Sequence, residues 1–114
     1  VVKVVTTLAG NAMYFSRAPI PYPRASAPSA APGSSAPSSA RAHVGLYVYR
    51  RDTLLKLADT PAAPVELEES LEQLRALANG ITIRVVPTTH VVAGVDTPED
   101  LDRVRSLLLS PVRT

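Results

Sequence analysis

Six side chains have types and spacings that could handle a small ligand or a cation: Arg17, His43, Tyr47, Glu72, Gln73 and Asp96. Asp96 stands directly before Thr97-Pro98-Glu99-Asp100-Leu101, a helix start written almost residue by residue. Thr97 suits the N-cap and Pro98 the first helical position, where a missing N–H costs nothing. Glu99 and Asp100 set negative charge against the positive end of the helix dipole. A carboxylate held just outside such a start suits a hard cation such as Mg²⁺, which prefers oxygen ligands. It equally suits the backbone donors of an ordinary turn. Arg17 follows the aromatic pair Tyr14-Phe15 and precedes Pro19-Ile20-Pro21. At a strand end its planar guanidinium can present a fork to a carboxylate or phosphate, or simply face water. His43 and Tyr47, four residues apart on an expected strand, project from one face, where they can share a ligand or pack on each other. Glu72 and Gln73 lie off the apolar stripe of an expected helix, about 100° apart around its axis. They can meet a ligand, or form a solvated face with a Glu72–Arg75 contact three residues apart.

Positioning these groups requires the following elements. Residues 1–6 and 12–15 read as strands joined through Thr7-Leu8-Ala9-Gly10-Asn11, where Gly and Asn tolerate a hairpin turn. Pro19, Pro21 and Pro23 then enforce an extended path, and the sixteen residues Ala25 to Ala40 are drawn only from Ala, Ser, Pro and Gly. Such a composition buries little, so residues 24–41 are expected to form a flexible loop within one domain. Residues 43–50 have aromatic and β-branched strand content. A short helix over 52–58 follows, then a longer one over 65–79 with Leu67, Leu71, Leu74 and Ala78 on one stripe and Asn79-Gly80 as its stop. A strand over 81–86 and a helix from Pro98 to about Leu109, with Leu101, Val104 and Leu108 inward and Pro111 beyond, complete an α/β layer pattern.

Composition excludes several classes. The 114 residues carry 12 basic and 10 acidic side chains, and no basic run or aromatic platform suggests nucleic acid. With no cysteine, disulfide scaffolds and thiolate metal sites are ruled out. The apolar runs are too short to span a bilayer as helices, so no membrane partner is expected. Val1-Val2-Lys3-Val4-Val5 reads as a buried strand and not as a leader, which predicts a piece of a longer, cytoplasmic protein. Gly-rich phosphate loops, G-x-S-x-G and H-E-x-x-H are absent, and His43 and His90 are too far apart to suggest a two-His zinc site.

Taken in order, several strings resemble one family. They are Val2-Lys3-Val4-Val5, Tyr14-Phe15-Ser16-Arg17-Ala18-Pro19-Ile20-Pro21, His43-Val44-Gly45-Leu46-Tyr47, Leu71-Glu72-Gln73-Leu74-Arg75 and Gly94-Val95-Asp96-Thr97-Pro98-Glu99-Asp100-Leu101. Together they resemble the C-terminal part of the 3-deoxy-manno-octulosonate cytidylyltransferases, over nearly all of the chain except the Ala/Ser/Pro segment. The resemblance implies a Rossmann-like nucleotidyltransferase fold with a mixed sheet and flanking helices. It implies transfer of CMP from CTP to the anomeric hydroxyl of the acid sugar Kdo (3-deoxy-D-manno-octulosonate), with release of pyrophosphate, dependence on Mg²⁺ and a place in lipopolysaccharide biosynthesis. By the same resemblance Arg17 meets the Kdo carboxylate, and His43 and Tyr47 belong to the sugar pocket. Glu72 and Gln73 bind its hydroxyls, Asp96 is one of two metal-binding aspartates, and the full-length enzyme is a homodimer. No residue of this stretch is assigned a covalent catalytic role.

Two departures qualify the resemblance. The family's Gly/Arg/Lys-containing nucleotide loop and its other aspartate are missing here, so this stretch alone is not expected to bind CTP or Mg²⁺ properly. The family also has a less biased loop where residues 25–40 stand. Competing readings are a cytidylyltransferase for another acidic sugar, a non-catalytic interaction module that keeps the fold, and an unstable product whose first strand is an open, aggregation-prone edge.

Overall fold

β1 (Lys3–Thr6) and β2 (Ala12–Ser16) pair antiparallel across the expected turn, with Lys3 opposite Ser16 and Val4 opposite Phe15. Thr7 N–H donates to the Asn11 carbonyl (2.8 Å) and Gly10 N–H to the Thr7 carbonyl (2.9 Å). Gly10 sits at φ +84°, a left-handed backbone conformation that favours glycine, with the Arg84 guanidinium close by. The computed structural model describes residues 1–22, 39–90 and 93–109. Of the expected 24–41 loop, residues 24–38 lie outside the described residues. Its end is not loop: β3 (Ala40–Ala42) pairs antiparallel with the other side of β1, giving the sheet order β2-β1-β3.

The expected strand over 43–50 does not form. His43 N–H still donates to the Val2 carbonyl (2.9 Å), but among the described residues no further bond to a neighbouring strand follows along 44–50, so no ladder is built there. The chain instead runs irregularly into α1 (Arg51–Ala58). The expected strand over 81–86 is likewise reduced to one bridge, Asn11 opposite Arg84. Ala12 N–H donates to the Ile83 carbonyl (2.8 Å) and Val85 N–H to the Gly10 carbonyl (2.9 Å). Pro87 follows immediately and cannot donate to a further rung.

The single helix expected over 65–79 is two, α2 (Pro64–Glu69) and α3 (Gln73–Ala78). Ser70 adopts the left-handed conformation (φ 52°), and Leu71 N–H returns to the Glu66 carbonyl (3.1 Å), the long-range bond of a Schellman ending. The break changes the phase of the apolar stripe. Leu71 and Leu74 are buried as expected, whereas Leu67 is 67% exposed and Ala78 is also exposed. Val4, Phe15, Leu71 and Leu74 form the core, with Val2, Tyr14, Val65, Leu77, Ile83 and Val85 packed around it. Each fully buried Leu or Phe contributes about 1.5–3 kcal/mol of transfer free energy.

α4 (Pro98–Leu109) has the expected extent, and its start is capped reciprocally. Asp100 N–H donates to Thr97 Oγ1 (3.2 Å), and Asp100 Oδ2 accepts from Thr97 N–H (3.3 Å). Its expected inward face is only partly covered: Val104 is half-buried, but Leu101 is 40% and Leu108 80% exposed, and no residue of the helix is fully buried. Among the described residues nothing packs over that face closely enough to bury it. Pro111 lies outside the described residues. No helix among the described residues is long and apolar enough to cross a membrane.

Candidate functional site

Register brings the first groups together. Lys3 of β1 faces Ser16 on one side and Ala42 on the other, so Arg17 and His43, the next residues, leave the same end of the sheet. Two strand spacings put their backbones roughly 10 Å apart. Lys3 Nζ donates to the Arg17 carbonyl (2.6 Å), tying that end of β2 to β1.

The Arg17 side chain reaches the break between α2 and α3. Its Nε–H donates to the Glu69 carbonyl (2.7 Å) and Nη2–H to the Ser70 carbonyl (3.1 Å). These carbonyls belong to a helix C-terminus, where orphan acceptors and negative dipole charge favour a cation. One edge of the guanidinium is thereby engaged. The end-on edge, Nη1–H with the second Nη2–H, keeps the fork geometry that a carboxylate accepts.

Glu69 closes the arrangement from the helix side. Its Oε1 accepts from the Ser16 hydroxyl (2.5 Å) and its Oε2 from Arg17 N–H (3.0 Å). The Ser16 hydroxyl and then the Arg17 amide hold the Glu69 carboxyl below the usual carboxylate range. Burial, and next the Glu69 charge, push the Tyr14 phenol up. None of Glu69, Ser16 or Tyr14 stands out in sequence as part of a site. The signal available was Ser70 after two acidic residues, which marks a helix end but not its partner.

His43 stacks edge-on against the core residue Phe15, with ring centroids 5.2 Å apart. Tyr47 Oη and His43 Nε2 lie 2.6 Å apart, sharing one proton according to the imidazole tautomer. The pair forms as expected, though through irregular backbone and not a shared strand face. Burial lowers the His43 pKa, and burial with the neighbouring Tyr49 pushes the Tyr47 phenol up to about 12. At neutral pH both groups are therefore uncharged. Tyr49, 6.0 Å from Tyr47 between ring centroids, continues the aromatic row. It lines a cavity of about 190 Å³ together with Leu54, Leu57, Ala58, Glu72 and Arg75.

Glu72 and Gln73 open α3 with different environments. Glu72 is exposed at the N-cap position, whereas Gln73 is only 9% exposed. Gln73 Nε2 is the one buried side-chain donor without a partner among the described residues. Arg75 pairs with Glu66 and not with Glu72, the partner of the solvated-face alternative, by Nη2–H to Oε1 (2.5 Å) and Nε–H to Oε2 (2.8 Å). The αL break at Ser70 is what turns Glu66 toward Arg75. Hydrogen bonds from Arg75, then the Ala63 amide, hold the Glu66 carboxyl below its usual range against the opposing effect of burial.

Asp96 stays apart from this assembly. Its N–H donates to Asp100 Oδ2 (3.3 Å), while its own exposed carboxylate accepts no hydrogen bond among the described residues. No cluster of three or more His, Asp or Glu side chains surrounds it among those residues. Asp100 is committed to the helix start, where the Asp96 and Thr97 donors keep its pKa low.

A family model described as cytidylyltransferase matches residues 1–83. The chain is 57% identical over 108 residues to a 3-deoxy-manno-octulosonate cytidylyltransferase of Syntrophotalea carbinolica, covering 95% of this chain and 43% of that protein. It is 53% identical over 112 residues to the enzyme of that description from Solibacter usitatus, covering 98% and 41%. Among solved structures, CMP:2-keto-3-deoxy-manno-octonic acid synthetase complexed with CTP matches with a TM-score of 0.79 and 43% identity, over 94% of this chain and 41% of that one. At that identity the likeness extends to the nucleotidyltransferase α/β fold. The chain thus spans about two fifths of the length of the proteins it matches. These matches give the extent of the shared stretch, and the expected placement in the family's C-terminal part is not among them.

Proposed function

The chain belongs to the cytidylyltransferase family, and from that premise we propose that the complete protein transfers CMP from CTP to the anomeric hydroxyl of Kdo, releasing pyrophosphate. In this reading the described stretch supplies the acid-sugar pocket and one metal ligand. The observation that carries it is Gln73 Nε2, a buried donor left without a partner beside the Arg17-bound break between α2 and α3. A native fold rarely leaves such a donor unpaired, and a ligand oxygen would satisfy it.

The end-on edge of Arg17 would receive the sugar carboxylate, and its docking on two carbonyls orients it before substrate arrives. Glu72 accepts and Gln73 donates, a combination matched to hydroxyls that do both. The neutral His43–Tyr47 pair adds polar contact on an apolar base formed by Phe15. The nucleotide would be held mainly by the part of the protein that this stretch does not span.

Mg²⁺ fits Asp96 as a single oxygen ligand, because that carboxylate is exposed and accepts no other hydrogen bond among the described residues. A bound Mg²⁺ would neutralise charge building on the α-phosphate. Its remaining protein ligand must come from outside the described residues. The homodimeric, cytoplasmic setting and the lipopolysaccharide pathway belong to the same proposal, and sedimentation of the complete enzyme tests the first of these.

The test is pyrophosphate release by the complete enzyme containing this stretch, with CTP and Kdo together and with each alone. Release that needs both substrates and stops on chelating Mg²⁺ supports the reading. Release with N-acetylneuraminate in place of Kdo would move it to another acidic sugar. Absence of release with either acid would leave a binding module.

A further inference from the structure

Arg17 and the Glu72–Gln73 pair come from elements more than fifty residues apart, so something must set the distance between them. The hydrogen bonds identify it. Glu69 is the last residue of α2, and its carboxylate holds both the Ser16 hydroxyl (2.5 Å) and the Arg17 amide (3.0 Å) at the end of β2. Its carbonyl, with that of Ser70, holds the Arg17 guanidinium. Ser16 is only 2% exposed, and its hydroxyl also accepts from Ala18 N–H (3.0 Å), so its geometry is constrained on both sides. Three residues after Glu69 the chain reaches Glu72, and Gln73 follows with its unpaired donor.

We propose that Glu69 is a positioning residue for the sugar pocket: its side chain clamps β2 against the α2–α3 break and so fixes Arg17 relative to Glu72 and Gln73. It touches no substrate. The inference rests on the reading of Arg17, Glu72 and Gln73 as one acid-sugar site. Without the carboxylate, Ser16 and the Arg17 amide lose their shared acceptor, the end of β2 can shift against α3, and the fork no longer faces the same point as the two side chains. Because both ends of the clamp lie on the sugar side, the nucleotide should bind as before.

The experiment is steady-state kinetics of the complete enzyme carrying Glu69→Gln, with Glu69→Asp and Ser16→Ala alongside. Glutamine keeps the shape but can satisfy only one of the two donors. The expected result is a KM for the acid sugar raised about 10- to 100-fold in Glu69→Gln, the weight of a hydrogen bond to a charged group. The KM for CTP and the melting temperature should stay near wild type. Ser16→Ala, which keeps the charge and the Arg17 amide bond, should raise the sugar KM by less, and Glu69→Asp should recover part of the loss. An unchanged sugar KM in Glu69→Gln, or a parallel rise in both KM values with a lowered melting temperature, would overturn the inference. A wild-type enzyme inactive with every acid sugar would instead defeat the functional reading. The clamp is then read from a crystal structure of Glu69→Gln, where Arg17 still seated on both carbonyls defeats it and a displaced guanidinium supports it.

Discussion

The β2/α2–α3 region and the α4 region each present residues assigned to one site, yet they are built in opposite ways. Around Arg17 every polar group is tied to another element: guanidinium to helix carbonyls, carboxylate to strand amide and hydroxyl, all above the Val4–Phe15–Leu71–Leu74 core. Around Asp96 every bond is local, closed within five residues by Thr97 and Asp100, and nothing in the helix is buried. Tertiary bonds determine where a side chain stands relative to the rest of the molecule. Local capping shapes only the side chain's immediate surroundings. Breaking the core beneath the first region should therefore cost stability, whereas in the second chemistry and stability should separate.

The largest effect should come from breaking the first region. Phe15→Ala removes a core ring 2% exposed that also supports His43, and is expected to cost about 3–5 kcal/mol in denaturant unfolding. A cost below 1 kcal/mol would mean that the sheet and α3 are not held by this core. Next comes Asp96→Asn in the complete enzyme, expected to lower turnover by roughly 100-fold or more while leaving the melting temperature unchanged. Unchanged turnover would remove Asp96 from the metal site, and a large loss of stability would erase the contrast between the regions.

Smaller effects sharpen the comparison. Thr97→Ala should cost α4 about 0.5–2 kcal/mol, seen as faster amide exchange confined to residues 98–109, while the core amides keep their protection. Spread of that loss into β1 and β2 would show that α4 is coupled to the sheet and would erase the contrast. The mildest test is pH. Burial holds the His43 pKa below its ordinary 6.5, so the unfolded chain binds the proton first as pH falls. The stabilisation is complete above about pH 6.5 and is lost as pH drops through the lowered folded value. Substituting His43→Gln should remove that slope, whereas a slope that persists in the variant would assign it to other groups.

Much of this arrangement was legible in one dimension because it is local. The Thr7–Asn11 turn, α1, α4 and the Thr97 cap depend on neighbours in sequence, and each formed close to where residue type and spacing put it. The family strings rest on the same kind of short-range order. Long-range outcomes were not legible. Among the described residues, the stretch 43–50 keeps only the His43–Val2 bond to its neighbour, and the stretch 81–86 pairs only with Gly10 to Ala12. The long helix broke at Ser70, where Arg17, just beyond the end of β2, and a left-handed ending replace continuous helical bonds. The sequence by itself thus determined which residues cap, turn and alternate, and which types of group are available for an acid sugar and a cation. Only the tertiary structure decided that Arg17 sits on a helix end, that Glu66 and not Glu72 takes Arg75, and that Gln73 is buried with a donor to spare. The reason is physical: caps and turns close over a few residues, while those pairings require two distant segments to be packed before either bond can form.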